Sequence, residues 1–327
     1  MFNEAENLPE FLRQIHAAID PLAAAEKFEW ELILVNDGSK DNSLAVASDL
    51  AAADPRLRIV SFSRNFGHEA ASTAGLRYAR GNAVVLIDTD LQDPPTVIPE
   101  LFAKWKAGFQ IVYARRSKRA EETILKKITS WAYYRLMRKM ANIDLPRDTG
   151  DFRLMDRKVV DAFNALPERN RFVRGMICWT GFRTAGVPFN RAPRFAGKTK
   201  YNYFKLIRLA IDSITGFTTA PLKFATWLGL GVATASVLWT LVVLYQYFFW
   251  HDANGNPYRP AGFTFLYIAI LLLGGVQIFL MGLLGEYLAR TYEQVQSRPL
   301  YIVDDLINFQ GTKATAGPEG RLLPPAS

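Results

Sequence analysis

Cysteine is almost absent from this sequence. The single thiol, Cys178, excludes an intrachain disulfide and any cysteine-built metal cluster, and its apolar M-I-C-W setting suits a small core residue. Histidine is nearly as scarce: His16, His68 and His251 are scattered without ligand spacing, so no zinc site is expected. The sequence also lacks a G-x-x-x-x-G-K-S/T phosphate loop and a G-x-G-x-x-G turn, which disfavours P-loop and dinucleotide-cofactor sites. Neither a signal-peptide pattern nor an internal repeat occurs. Acidic residues are the minority charge, 31 against 39 Lys and Arg, and the net +8 gathers between residues 115 and 139 and between 191 and 208. Such patches attract nucleic acid, anionic lipid headgroups or a phosphorylated ligand. Neighbouring membrane segments favour the last two, so no nucleic-acid partner is expected.

Long apolar runs are present, but only late in the chain. Residues 221–250 and 263–284 each exceed the ~20 residues needed to cross a bilayer. The first holds Lys223 only at its entry, and Gln277 is the sole strong polar group of the second. The loop between them, 251–262, carries one Arg, whereas the flanks carry Lys200, Lys205, Arg208, Lys223, Arg290 and Arg298. Positive residues stay on the cytoplasmic side, which places both the preceding domain and the tail there.

Before residue 220, short strands alternate with helices. Residues 84–95 read V-V-L-I-D-T-D-L-Q-D-P-P: β-formers buried on both faces, stopped by acids and then by two prolines that forbid further pairing. In an open α/β sheet, ligands bind at such a C-terminal strand mouth. Asp88 and Asp90, with Gln92 and Asp93, offer hard oxygen ligands suited to Mg2+ or Mn2+, which would in turn hold a diphosphate. A solvated acidic turn is the competing reading. Residues 30–35 form a second buried strand ending in N-D-G-S, where Asp37 is either a turn residue or a ligand contact, and Asp41 caps a helix over 41–53. Further strands are expected at 57–62, at 109–113 and after Phe182, with helices from Leu8, up to Ala79 and over 96–107. This alternation indicates a mostly parallel, helix-flanked sheet.

Residues 121–142 join Ile124, Trp131 and Tyr134 to Lys126, Lys127 and Arg135, a helix suited either to a membrane surface or to the domain's own core. D-T-G-D-F-R-L, at 148–154, reads by itself as a turn with a helix cap. The loop R-A-P-R-F-A-G-K-T-K-Y, at 191–201, is either a solvated basic turn or a clamp for a phosphate, and an amphipathic helix follows over 203–217. Residues 300–303 read as a strand returning to the domain, and the stretch from about 311 as disordered.

Taken in order, F-N-E-A-E-N-L, V-N-D-G-S-K-D-N-S, S-R-N-F-G-H-E-A-A, I-D-T-D-L-Q-D-P-P, D-T-G-D-F-R-L-M and G-K-T-K-Y resemble the family-2 glycosyltransferases that act on polyisoprenyl phosphates. That group includes dolichol-phosphate mannose synthases and bacterial undecaprenyl-phosphate (bactoprenol) glucosyltransferases. The resemblance runs from residue 1 to about 305, and the two late apolar runs point to the bactoprenol branch. It implies an α/β fold of GT-A (Rossmann-like) type with a mostly parallel sheet, followed by amphipathic interface helices and two transmembrane helices. The expected layout is a cytoplasmic catalytic domain over 1–193 and a basic loop with juxtamembrane helix over 194–220. Membrane helices over 221–250 and 263–289 follow, joined by a non-cytoplasmic loop at 251–262, and a cytoplasmic tail spans 290–327.

The resemblance also implies roles. Phe2 and Glu4 belong to the first nucleotide-binding motif, and Asp37 would contact the base or ribose. Asp88 and Asp90 occupy the D-x-D positions, with Asp90 and Gln92 as direct metal ligands. Asp151 falls at the acid-base position, and Arg115, Arg194, Lys198 and Lys200 match cationic positions around the donor diphosphate and acceptor phosphate. Family members begin with a hydrophobic strand before F-N-E that does not occur in this sequence; either the given sequence starts after that strand, or the sheet lacks one internal strand and donor binding suffers. The Q-x-x-R-W signature of processive relatives is absent too, which argues for one sugar per acceptor.

The implied activity is inverting, metal-dependent transfer of a single sugar, glucose from UDP-glucose first, to undecaprenyl phosphate at the cytoplasmic face of the bacterial inner membrane. The product would be a lipid-linked sugar for envelope glycan modification. A GDP-mannose or amino-arabinose donor with the same acceptor, and a non-catalytic nucleotide-sugar-binding subunit, are the alternatives. Glycines at 229, 231, 274, 275, 282 and 285 permit close helix packing, so a homo-oligomer is compatible with the sequence, which leaves a flippase partner open.

Overall fold

The computed structural model describes residues 1–117, 149–169, 171–190, 220–249 and 263–309. The helices expected at 121–142 and 203–217, the basic loop at 191–201, the loop at 251–262 and the end from 311 lie outside the described residues. The chain divides into two compact units, Met1–Leu206 with Ser297–Ser327, and Ile207–Gln296.

In the first unit, α1 (Leu8–Glu26) takes a proline in its first turn, where no amide partner is lost, and buries Leu8, Phe11, Ile15 and Ala18 along one stripe. Strand β1 (Leu32–Asn36) is buried on both faces by simple alternation. Leu32 and Leu34 join the cluster of α1, while Ile33 and Val35 join that of α3 (His68–Tyr78). A side chain buried as fully as Leu34 stabilises the fold by about 1.5–3 kcal/mol, and the half-buried Leu32 and Ile33 contribute less. Beyond α2 (Ser43–Ala53), β2 (Leu57–Phe62) pairs parallel to β1, from Leu32↔Leu57 to Asn36↔Ser61. The other edge of β2 is covered antiparallel by β7 (Val303–Ile307), which returns from beyond the second unit. The returning strand thus lies just downstream of the 300–303 expected. Residues 301 and 302 still reach the sheet, since Ser63 N donates to Ile302 O at 3.1 Å and Tyr301 stacks on Phe62.

A second sheet has the order β3-β5-β4-β6, built from β3 (Ala83–Leu86), β4 (Ile111–Arg116), β5 (Thr149–Asp156) and β6 (Thr184–Phe189). Helices α4 (Ile98–Lys106), α5 (Arg157–Ala165) and α6 (Val173–Trp179) accompany it. The α/β GT-A-like expectation holds, but the pairing is mixed rather than mostly parallel. Strand β5 runs antiparallel to both β3 and β4, and only β4 and β6 pair parallel in this sheet. Residues 149–154, read as part of a turn from sequence, therefore belong to a central strand. Gly150, Asp151 and Arg153 break its apolar pattern, yet Phe152, Leu154 and Met155 are buried. The helix cap is Asp156, whose carboxylate accepts from Lys158 N at 3.0 Å and from Trp105 Nε1 at 2.8 Å.

Strands β1 and β3 are both sheet edges, and one cavity of about 1400 Å3 is lined by both. Phe11, Ile15 and Ile19 of α1 and Ala71, Gly75 and Leu76 of α3 also line it, and the acidic strand ends stand at its mouth. Met1 sits at the free edge of β1: its amine donates to Val35 O at 2.7 Å and its carbonyl accepts from Asp37 N at 3.0 Å. This bracketing of Asn36 is parallel-strand geometry.

The second unit contains α7 (Ala220–Phe249) and α8 (Phe263–Gln296). Both are long and apolar enough to cross a membrane, with candidate spans at Leu222–Val243 and Leu272–Gln296. At 34 residues, α8 is about 50 Å long, more than the ~30 Å of a bilayer's hydrocarbon. Its charges gather at the C-terminal end, where Glu286 and Arg290 pair at 3.0 Å.

Candidate active site

The first two motifs knit together before any ligand is considered. Glu4 N donates to Ser43 Oγ (2.8 Å), Asn3 N to Ser39 Oγ (3.1 Å) and Lys40 N to Asn3 Oδ1 (2.9 Å). The Glu4 carboxylate accepts from the Asn7 amide, and Asp41 receives Ser43 N at 3.0 Å. The turn after β1 needs Gly38, which has φ +62° and lies so close to the next loop that a Cβ would stand 2.4 Å from Arg64 C. Asp37, only 5% exposed, turns its carboxylate to that loop and accepts from Phe66 N at 2.7 Å and Gly67 N at 3.0 Å. By fixing Phe66 and Gly67, Asp37 fixes where the next residue, His68, begins α3.

His68 stands between two acids. Its Nε2 lies 3.2 Å from Asp151 Oδ2 on β5, and its Nδ1 lies 3.9 Å from Asp88 Oδ1 at the end of β3. Asp151 is met from the other side by Arg174 of α6, with Nη2 3.2 Å from Oδ2 and Nε 3.3 Å from Oδ1. Arg153, 0% exposed, lies behind it, donating through Nε to Asp151 O (3.2 Å) and through Nη2 to Gly150 O (3.0 Å). Its guanidinium also sits over the Tyr113 ring, 5.3 Å from the centroid. Asp90 closes a tight turn by accepting from Gln92 N at 3.1 Å, while Leu91 between them takes a left-handed φ of 58°.

These distances set the charges. The hydrogen bond to Asp151 raises the His68 imidazolium to about 9, with help from the Asp88 charge and against the pull of burial. Burial works against the Asp151 carboxylate. The His68 hydrogen bond and the Arg174 and Arg153 charges outweigh it and hold the acid well below the usual carboxylate range. Asp88 is shifted the other way, raised by burial and by the charges of Asp151 and Asp90. A cation would relieve that strain. Among the described residues no three of His, Cys, Asp and Glu converge as a metal cage. Two carboxylates and the Gln92 amide would instead leave places for phosphate oxygens, the usual way Mg2+ is held, so the residues fit such an ion.

Phe2, Glu4, Asp37, Asp88, Asp90, Gln92 and Asp151 thus line one cavity. Arg115 is exposed on β4 and is not part of that lining; the adjacent Arg116 is, and it lies against Gly150, where a Cβ would meet its Nη2 at 3.2 Å. Alternation along the strand gives neighbours opposite faces. Arg194, Lys198 and Lys200 lie outside the described residues. Sequence reasoning missed His68, Arg153 and Arg174. His68 sits within a quoted motif but was weighed only as a metal ligand, and the two arginines carry no spacing signal.

Acids at the end of β3 and a carboxylate on its antiparallel neighbour β5, inside an α/β domain, agree with the GT-A-like class of glycosyltransferases that the resemblance implies. Comparison with known proteins gives the family. Residues 1–163 match Glycosyl transferase family 2 and residues 220–291 match the GtrB C-terminal hairpin. The chain belongs to glycosyl transferase family 2. The uncharacterized glycosyltransferase sll0501 of Synechocystis sp. is 46% identical over 306 residues, covering 94% of this chain and 93% of its own. The SfII prophage-derived bactoprenol glucosyl transferase of Shigella flexneri is 42% identical over 306 residues, 93% and 95% of the two chains. A prophage bactoprenol glucosyl transferase homolog of Escherichia coli (strain K12) is 41% identical over 303 residues, 93% and 96%.

Proposed function

We propose that this protein transfers one glucose from UDP-glucose to undecaprenyl phosphate, with inversion, at the cytoplasmic face of the bacterial inner membrane. The observation that carries the reading is the meeting of Asp88 and Asp151 across His68 on one cleft. It occurs in a chain that aligns over 93% of its length with relatives named bactoprenol glucosyl transferase. Asp88, Asp90 and Gln92 would hold Mg2+ or Mn2+, which when bound neutralises the departing diphosphate. Phe2 and Glu4 line the nucleotide end of the cavity, and Asp37 shapes its wall through the Phe66–Gly67 amides. Arg115, at the position the resemblance implies, and its neighbour Arg116, which lines the cavity, are the β4 cations of this reading. Arg194, Lys198 and Lys200, which lie outside the described residues, would complete the charge around the phosphates.

An inverting displacement needs the acceptor oxygen held in line behind the anomeric carbon. The acceptor is itself a phosphate with a second pKa of ~6, so at neutral pH it arrives largely ionised. Little proton removal is then required, and positioning dominates. A polyprenyl tail stays in the bilayer, which gives α7 and α8 their purpose as anchors. The positive-inside distribution of Lys and Arg supports the cytoplasmic orientation.

The test is incubation of the detergent-purified full chain with radiolabelled UDP-glucose, undecaprenyl phosphate and Mn2+ or Mg2+, counting label in the organic phase. Chelator-sensitive lipid labelling is expected. Label from GDP-mannose or another donor, but none from UDP-glucose, would replace the sugar. No label from any donor would overturn the reading.

A further inference from the structure

We propose that His68 and Arg174 together form the receptor for the acceptor's phosphate, and that Asp151 is a positioning residue that holds these two cations rather than a group that accepts a proton. The proposal rests on the transfer reaction given above. Two side chains from separate elements converge on one carboxylate: His68 opens α3 and Arg174 is the second residue of α6, and both have a nitrogen 3.2 Å from Asp151 Oδ2. Both also line the cleft. The side chains keep 51% and 28% of their surface exposed, against 19% for Asp151, so the cations are more open to a ligand than the acid that joins them.

Each cation has a second anchor. The Phe66–Gly67 turn in front of His68 is held by Asp37, with Phe66 N 2.7 Å from its carboxylate. The start of α6 is held by Glu69, the residue after His68, whose carboxylate accepts from Val173 N at 2.8 Å. One short helix segment of α3 therefore places His68 itself and, through Glu69, the backbone next to Arg174.

Three cations, His68, Arg174 and the buried Arg153, meet at Asp151, with Asp88 and Glu69 as the other acids near them, and Arg153 Nη1 has no hydrogen-bond partner among the described residues. Clustered guanidinium and imidazolium donors suit an oxyanion with more than one charge. The donor's diphosphate falls to Asp88 and Asp90 through a divalent ion, and the clustered cations lie on the Asp151 side. That side is where the acceptor's phosphate would stand. A proton-accepting role fits the geometry less well, because both Asp151 oxygens already receive hydrogen bonds from His68 and Arg174. The cations that take those bonds also leave Asp151 a weaker base than the phosphate it would have to deprotonate.

The experiment uses the full chain in detergent micelles and compares wild type with His68→Gln, Arg174→Gln, Arg174→Lys and Asp151→Asn. Transfer is measured at varied undecaprenyl phosphate, and affinity for UDP with Mn2+ by calorimetry. His68→Gln and Arg174→Gln are expected to raise the acceptor KM by about tenfold or more, the scale of one charge-assisted hydrogen bond, and to leave UDP affinity unchanged. Arg174→Lys should recover part of the loss, and Asp151→Asn should raise the acceptor KM by releasing both cations. Lost UDP affinity with an unchanged acceptor KM would assign the pair to the donor's diphosphate and overturn the proposal. A fall in kcat on Asp151→Asn, with both KM values constant and His68→Gln silent, would restore Asp151 as the proton acceptor. Should wild type transfer no sugar, undecaprenyl phosphate binding read by tryptophan fluorescence still decides the matter. Weaker binding by Arg174→Gln than by wild type and Arg174→Lys supports the receptor, and equal binding, or none by wild type, overturns it.

Discussion

His68 is the residue whose ionisation says most about the cleft. Raised to about 9 by Asp151, its contribution to stability is complete below the ordinary imidazole value of 6.5 and disappears as pH rises through 9. The depressed Asp151 acid behaves oppositely, contributing above its ordinary value of 3.8 and losing its contribution as pH falls below that. The pair is therefore intact across the neutral range. An NMR titration of the His68 ring should give a value near 9 in wild type and one closer to 6.5 in Asp151→Asn; equal values in both would break the link. Asp90→Ala should abolish metal-dependent transfer, and a variant that still turns over with unchanged metal dependence would remove Asp90 from the ligand set. Asp88 and Asp90 were legible in the sequence because a buried strand that stops on acids is a local pattern. His68, Arg153 and Arg174 were not, because their meaning comes from long-range contacts with Asp151.

At the scale of elements, the turn after β1 and the strand β5 carry the site. Gly38→Ala would place a side chain at φ +62° and a Cβ 2.4 Å from the Arg64 backbone. It should cost about 2 kcal/mol or more, lower Tm and displace the Phe66–His68 turn. Calorimetry with the Arg174→Lys protein as a folded control would show this, and an unchanged Tm would contradict the close approach. Phe152→Ala, next to Asp151 and 1% exposed, should cost about 3–5 kcal/mol in unfolding free energy. Strands β1, β2 and β3 and helices α1 to α4 could be read from periodicity. Strand β5 could not, because the charged residues that serve the cleft interrupt the apolar pattern that would have revealed it. That failure turned a mostly parallel expectation into a mixed sheet.

For the whole molecule, the chain leaves its α/β domain, forms two bilayer-length helices and comes back to finish the sheet. Strand β7 covers the open edge of β2, and Asn308 Nδ2 donates to Ala51 O and Leu57 O at 2.7 and 2.8 Å. Ending the chain after Gln296 should therefore expose a strand edge, lower Tm and promote aggregation. A shortened protein with wild-type Tm would show that β7 is dispensable. The two candidate membrane helices were evident from length and hydropathy alone, since a bilayer imposes its thickness on any segment that crosses it. What unites the scales is the proposed transfer of one sugar onto a lipid phosphate. Mass spectrometry of the lipid extracted after incubating the protein with UDP-glucose, undecaprenyl phosphate and Mn2+ tests that most directly. The expected product carries a single hexose on the lipid phosphate and fails to form with chelator. A ladder of longer glycans, or unmodified lipid with every donor supplied, would contradict it.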